Sequence, residues 1–66
     1  IDASDDEGIT TMEITHNNGA KKVINVNDKT AHQEVVMTEG ETNYLIVTVT
    51  NVNGLSKTIR HKFDNF

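Results

Sequence analysis

Apolar and polar residues alternate along much of this chain with the period of two that is typical of β-strands. In residues 10–16, Met12 and Ile14 fall on one face, and Glu13 and Thr15 fall on the other. No stretch keeps the 3.6-residue spacing of an amphipathic helix, and Thr, Asn, Val and Ile together outnumber the strong helix formers. The pattern therefore predicts an all-β protein.

Asn and Gly residues mark the positions where the chain is predicted to reverse. Residues 17–19, Asn-Asn-Gly, are a strong hairpin signal, because both residue types tolerate positive φ. The returning strand, residues 23–26, is short and polar, and we expect it near an edge of the sheet. Residues 27–32 are predicted as a loop, and residues 33–38 as a further strand.

The last third of the chain predicts a β-hairpin. Its first strand carries the β-branched run 45–50, and Asn-Val-Asn-Gly at residues 51–54 forms the turn. Leu45, Val47 and Val49 form the predicted core face of that strand. The opposite, outward face carries Tyr44, Ile46, Thr48 and Thr50.

The final strand is predicted to lie at the edge of the sheet. Leu55, Ile59 and Phe63 fall in one phase, and two polar side chains, Lys57 and His61, interrupt that phase. Such interruptions favour an edge strand whose core face reaches solvent.

Composition limits the classes of protein to which the chain can belong. At 66 residues it is one small domain, residues 1–66, or part of one, and without cysteine it has neither disulfides nor thiolate zinc sites. Ten acidic against six basic residues argue against a nucleic-acid partner, and no apolar run is long enough for membrane insertion. Because the sequence begins Ile-Asp-Ala-Ser without Met, we expect a mature or excised part of a longer protein.

Two short signatures resemble those of bacterial immunoglobulin-like modules. Residues 40–56 combine a Gly, an Asn three positions later, alternating apolar and Thr residues, and a second Asn followed by Gly, as in the final hairpin of such modules. Residues 3–9, Ala-Ser-Asp-Asp-Glu-Gly-Ile, resemble their earlier acidic turn. The resemblance implies a small antiparallel immunoglobulin-like β-sandwich of about six strands, either whole or lacking its first strand. Tyr44 is out of phase with the core, unlike a tyrosine corner, which favours this pattern over fibronectin type III modules.

The resemblance also implies a kind of function. Bacterial immunoglobulin-like modules are non-catalytic and extracellular or on the cell surface, where they space, orient or attach domains of surface or secreted proteins. The implied partners are neighbouring domains of a larger chain, a host protein or a glycan, and no cofactor is implied. Two alternatives stay open: an assembly or adhesion subunit completed by strand donation from a partner chain, and a carbohydrate-binding accessory module. The latter would normally expose several aromatic residues on one face.

Acidic residues near the start form a candidate calcium site. Calcium prefers several oxygen ligands, and a turn between strands can supply them. The predicted sandwich places this segment at the same end as the turn at residues 51–54. A solvated acidic turn without metal is the commoner outcome for such clusters. The candidate ligands are Asp2, Asp5, Asp6, Asn51 and Asn53.

No arrangement of residues indicates catalysis. The strand that contains Leu45 is expected to separate His16 from His61, and His32 lies in a predicted loop. No nucleophile elbow or oxyanion turn accompanies the serines.

The outward residues of the predicted hairpin are the remaining candidates for binding. Tyr44, Ile46 and Thr48 are predicted to form a shallow surface that binds a protein or glycan, or that packs against a neighbouring domain.

Overall fold

The computed structural model describes all 66 residues and contains four β-strands in a single antiparallel sheet. The strands are β1 (Asp2–His16), β2 (Lys22–His32), β3 (Glu41–Asn51) and β4 (Ser56–Asn65). Their order across the sheet is β2-β1-β3-β4, so β2 and β4 are the edge strands. The all-β prediction is confirmed, and so is the edge position predicted for the final strand and for the strand after the first hairpin.

The number of strands differs from the expected six or so. Residues 33–38, predicted as a strand, are not one. The backbone N–H and C=O of Thr38 bond to the side chain of Asn43, at 2.8 and 2.9 Å, instead of to a neighbouring strand. Residues 27–32, predicted as a loop, belong to β2, and the positive φ of Asn27 (70°) is accommodated within the strand. The chain therefore forms one four-stranded sheet rather than two packed sheets.

β1 bends sharply at Gly8 and folds its first residues back over the sheet. Its register against β2 slips between Ser4 and Ile9 and again between Ile9 and Thr11, as at a β-bulge, which bends a strand. Gly8 has a φ of 110°, a conformation that costs little only for glycine. Beyond this bend, Ile1 and Ala3 pack against the core formed by the other half of the strand.

The core is small and lies between the sheet and this folded-over segment. Met12, Ile14 and Leu45 are its buried centre, and Val47 and Val49 are partly buried against them. The core faces predicted for both strands are therefore confirmed. Few other side chains are fully buried, which is expected for a chain of this size.

The turn at residues 17–19 closes the hairpin of β1 and β2 as predicted. Asn17 and Asn18 have φ values of 50° and 60°, the left-handed conformation that Asn tolerates. The backbone N–H of Asn17 donates to the Tyr44 carbonyl at 2.9 Å, and its side-chain Oδ1 accepts from the Tyr44 N–H at 2.7 Å. These bonds tie the turn to β3.

The molecule is elongated along its strands. Its principal dimensions are 39, 17 and 15 Å, and its radius of gyration is 12.5 Å. A compact domain of this length would have a radius of gyration of about 11 Å.

Candidate functional site: an open groove between β1 and β4

An open, mostly apolar groove of about 590 Å³ lies between the folded-over start of β1 and the face of β4. Residues 1–5 line one side without interruption, so the groove follows the backbone edge of that segment. On the other side, from Lys57 to Phe63, only alternate residues of β4 line it, so the groove lies over one face of that strand. Its volume falls within the range of about 300–1,000 Å³ that binding clefts occupy.

The apolar side chains of β4 on this face are largely uncovered. Ile59 is 54% exposed, although it lies opposite the core residue Val47 in the register of β3 and β4. Phe63 is 40% exposed and Leu55, just before β4, is 69% exposed. The predicted common phase of these three residues is confirmed, since all three line the groove, and they remain largely exposed there. Exposed apolar surface of this kind makes the groove the candidate for binding.

Both strands that flank the groove have an unpaired backbone edge. Residues 2–4 pair only with residues 30–32 of β2, and the pairing of β1 with β3 begins at Ile9. β4 pairs only with β3. Unpaired edges leave N–H and C=O groups available to a further strand.

The basic side chains of β4 are divided between its two faces. Lys57 and His61 point into the groove, whereas Arg60 and Lys62 lie on the opposite face. None of these side chains forms an ion pair in the structure. His61 packs against Phe63, with 4.1 Å between the ring centroids.

The candidate calcium ligands are divided between two places. Asp5 meets Asn51, whose Nδ2 donates to the carboxylate at 3.4 Å, at the end of the molecule predicted from the sequence. Asp2 lies instead beside His32, and Asn53 contributes its backbone N–H to Asn51 at 3.0 Å. No three Asp, Glu or His side chains are grouped so that they could hold a metal ion.

Asp2 and His32 form an exposed pair at the rim of the groove. The imidazole Nδ1 lies 2.6 Å from the Asp2 carboxylate. The pKa of Asp2 is lowered from its usual 3.8, first by this hydrogen bond and then by the charge of His32. Because the folded-state pKa is depressed, the pair contributes stability above about pH 4, and this contribution is lost as the pH falls through the lowered pKa.

Replacing His32 with Gln should return the pKa of Asp2 towards 3.8, because the two largest causes of the shift, the charge-assisted hydrogen bond with His32 and the charge of His32, are lost. Only the smaller attraction of the N-terminal ammonium still lowers this pKa. Carboxyl ¹³C chemical shifts followed through an acid titration measure this directly. Lys62→Gln, which removes a charge on the far face of β4, should leave the Asp2 titration as it was. An unchanged Asp2 titration in His32→Gln would contradict the pairing.

The predicted outward surface lies where the sequence places it. Tyr44 is 56% exposed and Ile46 is also exposed, on the face of β3 away from the core. Thr48 shares a 2.9 Å hydrogen bond with Thr58 of β4, Oγ1 to Oγ1. The orientation is thus confirmed, whereas binding by this surface stays a prediction.

The histidines do not converge. Leu45 lies between His16 and His61 in the register of the sheet, as predicted. His16 Nε2 lies 2.7 Å from Asn43 Oδ1, so this imidazole is part of a structural hydrogen-bond network.

The sequence reasoning missed the role of Asn43. This side chain is completely buried, and its Oδ1 also accepts from the Thr38 N–H while its Nδ2 donates to the Thr38 carbonyl. It thereby holds the irregular segment before β3 against the sheet. The sequence contains a signal for this role, since Asn43 is a polar residue in phase with Leu45 and Val47 on the predicted core face. A buried amide requires hydrogen-bond partners.

Comparison of the chain with protein-family models, with curated proteins and with solved structures found no match. The structure contains no helix with the length and hydropathy needed to cross a bilayer.

Proposed function

We propose that this chain is a non-catalytic immunoglobulin-like module that spaces, orients or attaches domains of a bacterial surface or secreted protein. The observation that carries the proposal is the elongated antiparallel sheet, 39 Å long, with strands that run along it and tight turns at their ends. Long strands paired with their neighbours over most of their length give a stiff body, which is what a spacing element requires. The module would act outside the cell, next to other domains of a larger chain.

The bend in the first hairpin supports the immunoglobulin-like assignment. The β1–β2 pairing is divided at the bend into one part at residues 2–4 with 30–32 and another at residues 11–14 with 22–25. Residues 1–5 lie opposite residues of β3 and β4 across the groove. This arrangement would become the second layer of a sandwich if a further strand joined residues 1–5.

The proposal is tested by measuring whether the chain holds a fixed length. Since there is no native cysteine, spin labels can be attached through Glu39→Cys and Asn53→Cys, in exposed turns before and after β3. The eleven residues of β3 separate them by roughly 35 Å. A stiff spacer should give one narrow distance distribution, and the same chain in urea, as the control, a broad one.

Thermal melts complete this test. A spacing module should unfold in one transition whose midpoint is unmoved by calcium or by soluble sugars. A broad distance distribution in native buffer would contradict the spacer. A sugar-dependent rise in the melting temperature that Tyr44→Ala abolishes would instead favour the carbohydrate-binding alternative.

A second candidate function is an assembly or adhesion subunit completed by a strand from a partner chain. The specific observation in its favour is the β1–β4 groove, where an unpaired strand edge meets an uncovered apolar face. β-strand addition uses these two features together, main-chain bonds for affinity and side-chain pockets for specificity.

A further inference from the structure

We propose that the β1–β4 groove receives one extended strand from a partner polypeptide, paired with residues 1–5 and laid across the face of β4. This rests on the second candidate function proposed above, completion by a strand from a partner chain, and names the chemistry of that strand. The strand's inward side chains would cover Leu55, Ile59 and Phe63, which are exposed on the groove wall.

The lining of the groove favours a strand over a small ligand. Every residue from 1 to 5 lines it, which places a backbone edge along one side, and residues 2–4 have no pairing partner on that edge. Alternate residues of β4 line the opposite side of the groove with their side chains. Only an extended backbone satisfies a row of N–H and C=O groups while laying side chains on an apolar face.

The alternation of half-buried and exposed residues in the folded-over segment indicates which types of side chain the partner strand carries on each face. Ile1, Ala3 and Asp5 are half-buried, and Asp2 and Ser4, which alternate with them, are exposed. Neighbouring strands in a sheet keep the same inward and outward alternation. The partner strand therefore carries apolar residues inward at every second position.

Charge specifies the outward positions. Asp2 is exposed on the outward face of the segment, and the exposed Asp6 and Glu7 follow on the same strand. Cross-strand neighbours of opposite charge stabilise a sheet, and like charges oppose it. Lysine or arginine among the outward residues therefore fits this edge. The length of the partner strand follows from β4. Residues 57–63 of β4 would face seven residues of the partner, which extend over about 23 Å.

A second copy of this chain is a poorer occupant. Its edge strands are β2 and β4. Val23 is the one large apolar side chain that β2 exposes, and in β4 Lys57 and His61 interrupt the apolar face. Laying β4 of one copy on β4 of another would bring two lysines into one apolar groove, where burial makes like charges costly.

The test is a titration with the blocked peptide acetyl-Lys-Val-Thr-Ile-Lys-Val-Thr-amide, followed by NMR of the isotope-labelled chain. We expect amide shifts at residues 1–5, and intermolecular contacts from the peptide Val and Ile methyl groups to Ile59 and Phe63. Two N-methylated peptides act as controls, one modified at the inward residues and one at the outward residues. The bound peptide would pair along only one of its two edges. N-methyl groups on that edge should therefore abolish binding, and N-methyl groups on the other edge should leave the affinity unchanged.

A matched pair of variants isolates the groove. Ile59→Glu places a carboxylate on the groove wall at a residue that is already 54% exposed, so the fold should be kept. It should weaken peptide binding by about tenfold or more, since the bound strand would remove water from the new carboxylate and cover it with apolar side chains. Thr58→Glu, on the opposite face of β4, should leave the affinity unchanged.

The outcomes separate this proposal from the spacer. If the spin labels give one narrow distance distribution but the peptide causes no amide shifts at residues 1–5, the proposed strand binding is contradicted and the spacer is supported. A chain that becomes ordered only when the peptide is added overturns the spacer and supports the strand. Shifts confined to the surface of Tyr44 and Ile46, or a dimer that forms through β4, overturn the strand.

Discussion

Replacing Asn43 with Ala should destabilise the protein by about 3 kcal/mol, the sum expected from several lost hydrogen bonds and the buried groups left unsatisfied. Asn43 is fully buried, and its Oδ1 lies within hydrogen-bond distance of the Thr38 N–H (2.8 Å), His16 Nε2 (2.7 Å) and Asn17 Nδ2 (3.2 Å). Its Nδ2 donates to the carbonyls of Thr38 and Glu41, at 2.9 and 3.3 Å. One side chain therefore joins the first hairpin, the segment before β3 and β3 itself.

The loss would be large relative to the total. A chain of this length has a free energy of unfolding of roughly 3–10 kcal/mol at about 0.05–0.15 kcal/mol per residue. The melting temperature of Asn43→Ala should accordingly fall by about 15 °C, since each kcal/mol shifts a domain of this size by about 4–8 °C. Urea unfolding with an unchanged m-value would assign the effect to the native state.

Asn43→Asp is the matched control for this prediction. The carboxylate keeps an acceptor for the Thr38 N–H but loses the two donated bonds, so its destabilisation should depend on pH and fall as the carboxyl is protonated. An Asn43→Ala variant that melts within a few degrees of the parent would show that water replaces the lost partners, and the network would then not be what holds this segment.

The strand phases were predictable from the sequence because they depend on local alternation. Met12, Ile14 and Leu45 are buried and Tyr44 is exposed, as the period of two requires. The positive φ of Asn17 and Asn18 was predictable for the same reason, since the residue type sets the conformational cost.

The sheet topology was not predictable from these patterns. Whether Gly8 ends a strand or bends it depends on what lies on the other side, here the Val52 N–H that donates to the Gly8 carbonyl at 3.0 Å. Residues 33–38 alternate like a strand, but the backbone of Thr38 bonds to the Asn43 side chain, a contact that no local pattern encodes. Local pattern likewise predicts that the face of β4 is apolar, and only the assembled sheet shows that the face is uncovered.

Replacing Asn51 with Ala should cost about 2 kcal/mol, because one oxygen supports two backbone bonds of the β3–β4 turn. Asn51 Oδ1 accepts from the N–H groups of Asn53 and Leu55, both at 3.0 Å. The backbone of Asn51 also bonds to the turn, donating to the Leu55 carbonyl at 2.9 Å and accepting from the Gly54 N–H at 3.0 Å. The side chain is almost entirely buried, so water replaces it poorly.

The variant should also loosen one end of the groove, since Asn51 connects the turn to Asp5 in the folded-over segment and Leu55 lines the groove. Hydrogen exchange at the Leu55 amide should speed up by about tenfold or more, because a loss of 1.4 kcal/mol in local stability is tenfold in the open population. Asn53→Ala is the control: only its backbone N–H is bonded, so its stability should stay within about 0.5 kcal/mol of the parent. If the Leu55 amide exchanges equally fast in Asn51→Ala and in Asn53→Ala, the side-chain amide of Asn51 does not hold this turn. If the exchange is faster in Asn51→Ala alone, the residue that shapes the turn also fixes the geometry at which a partner strand would enter the groove.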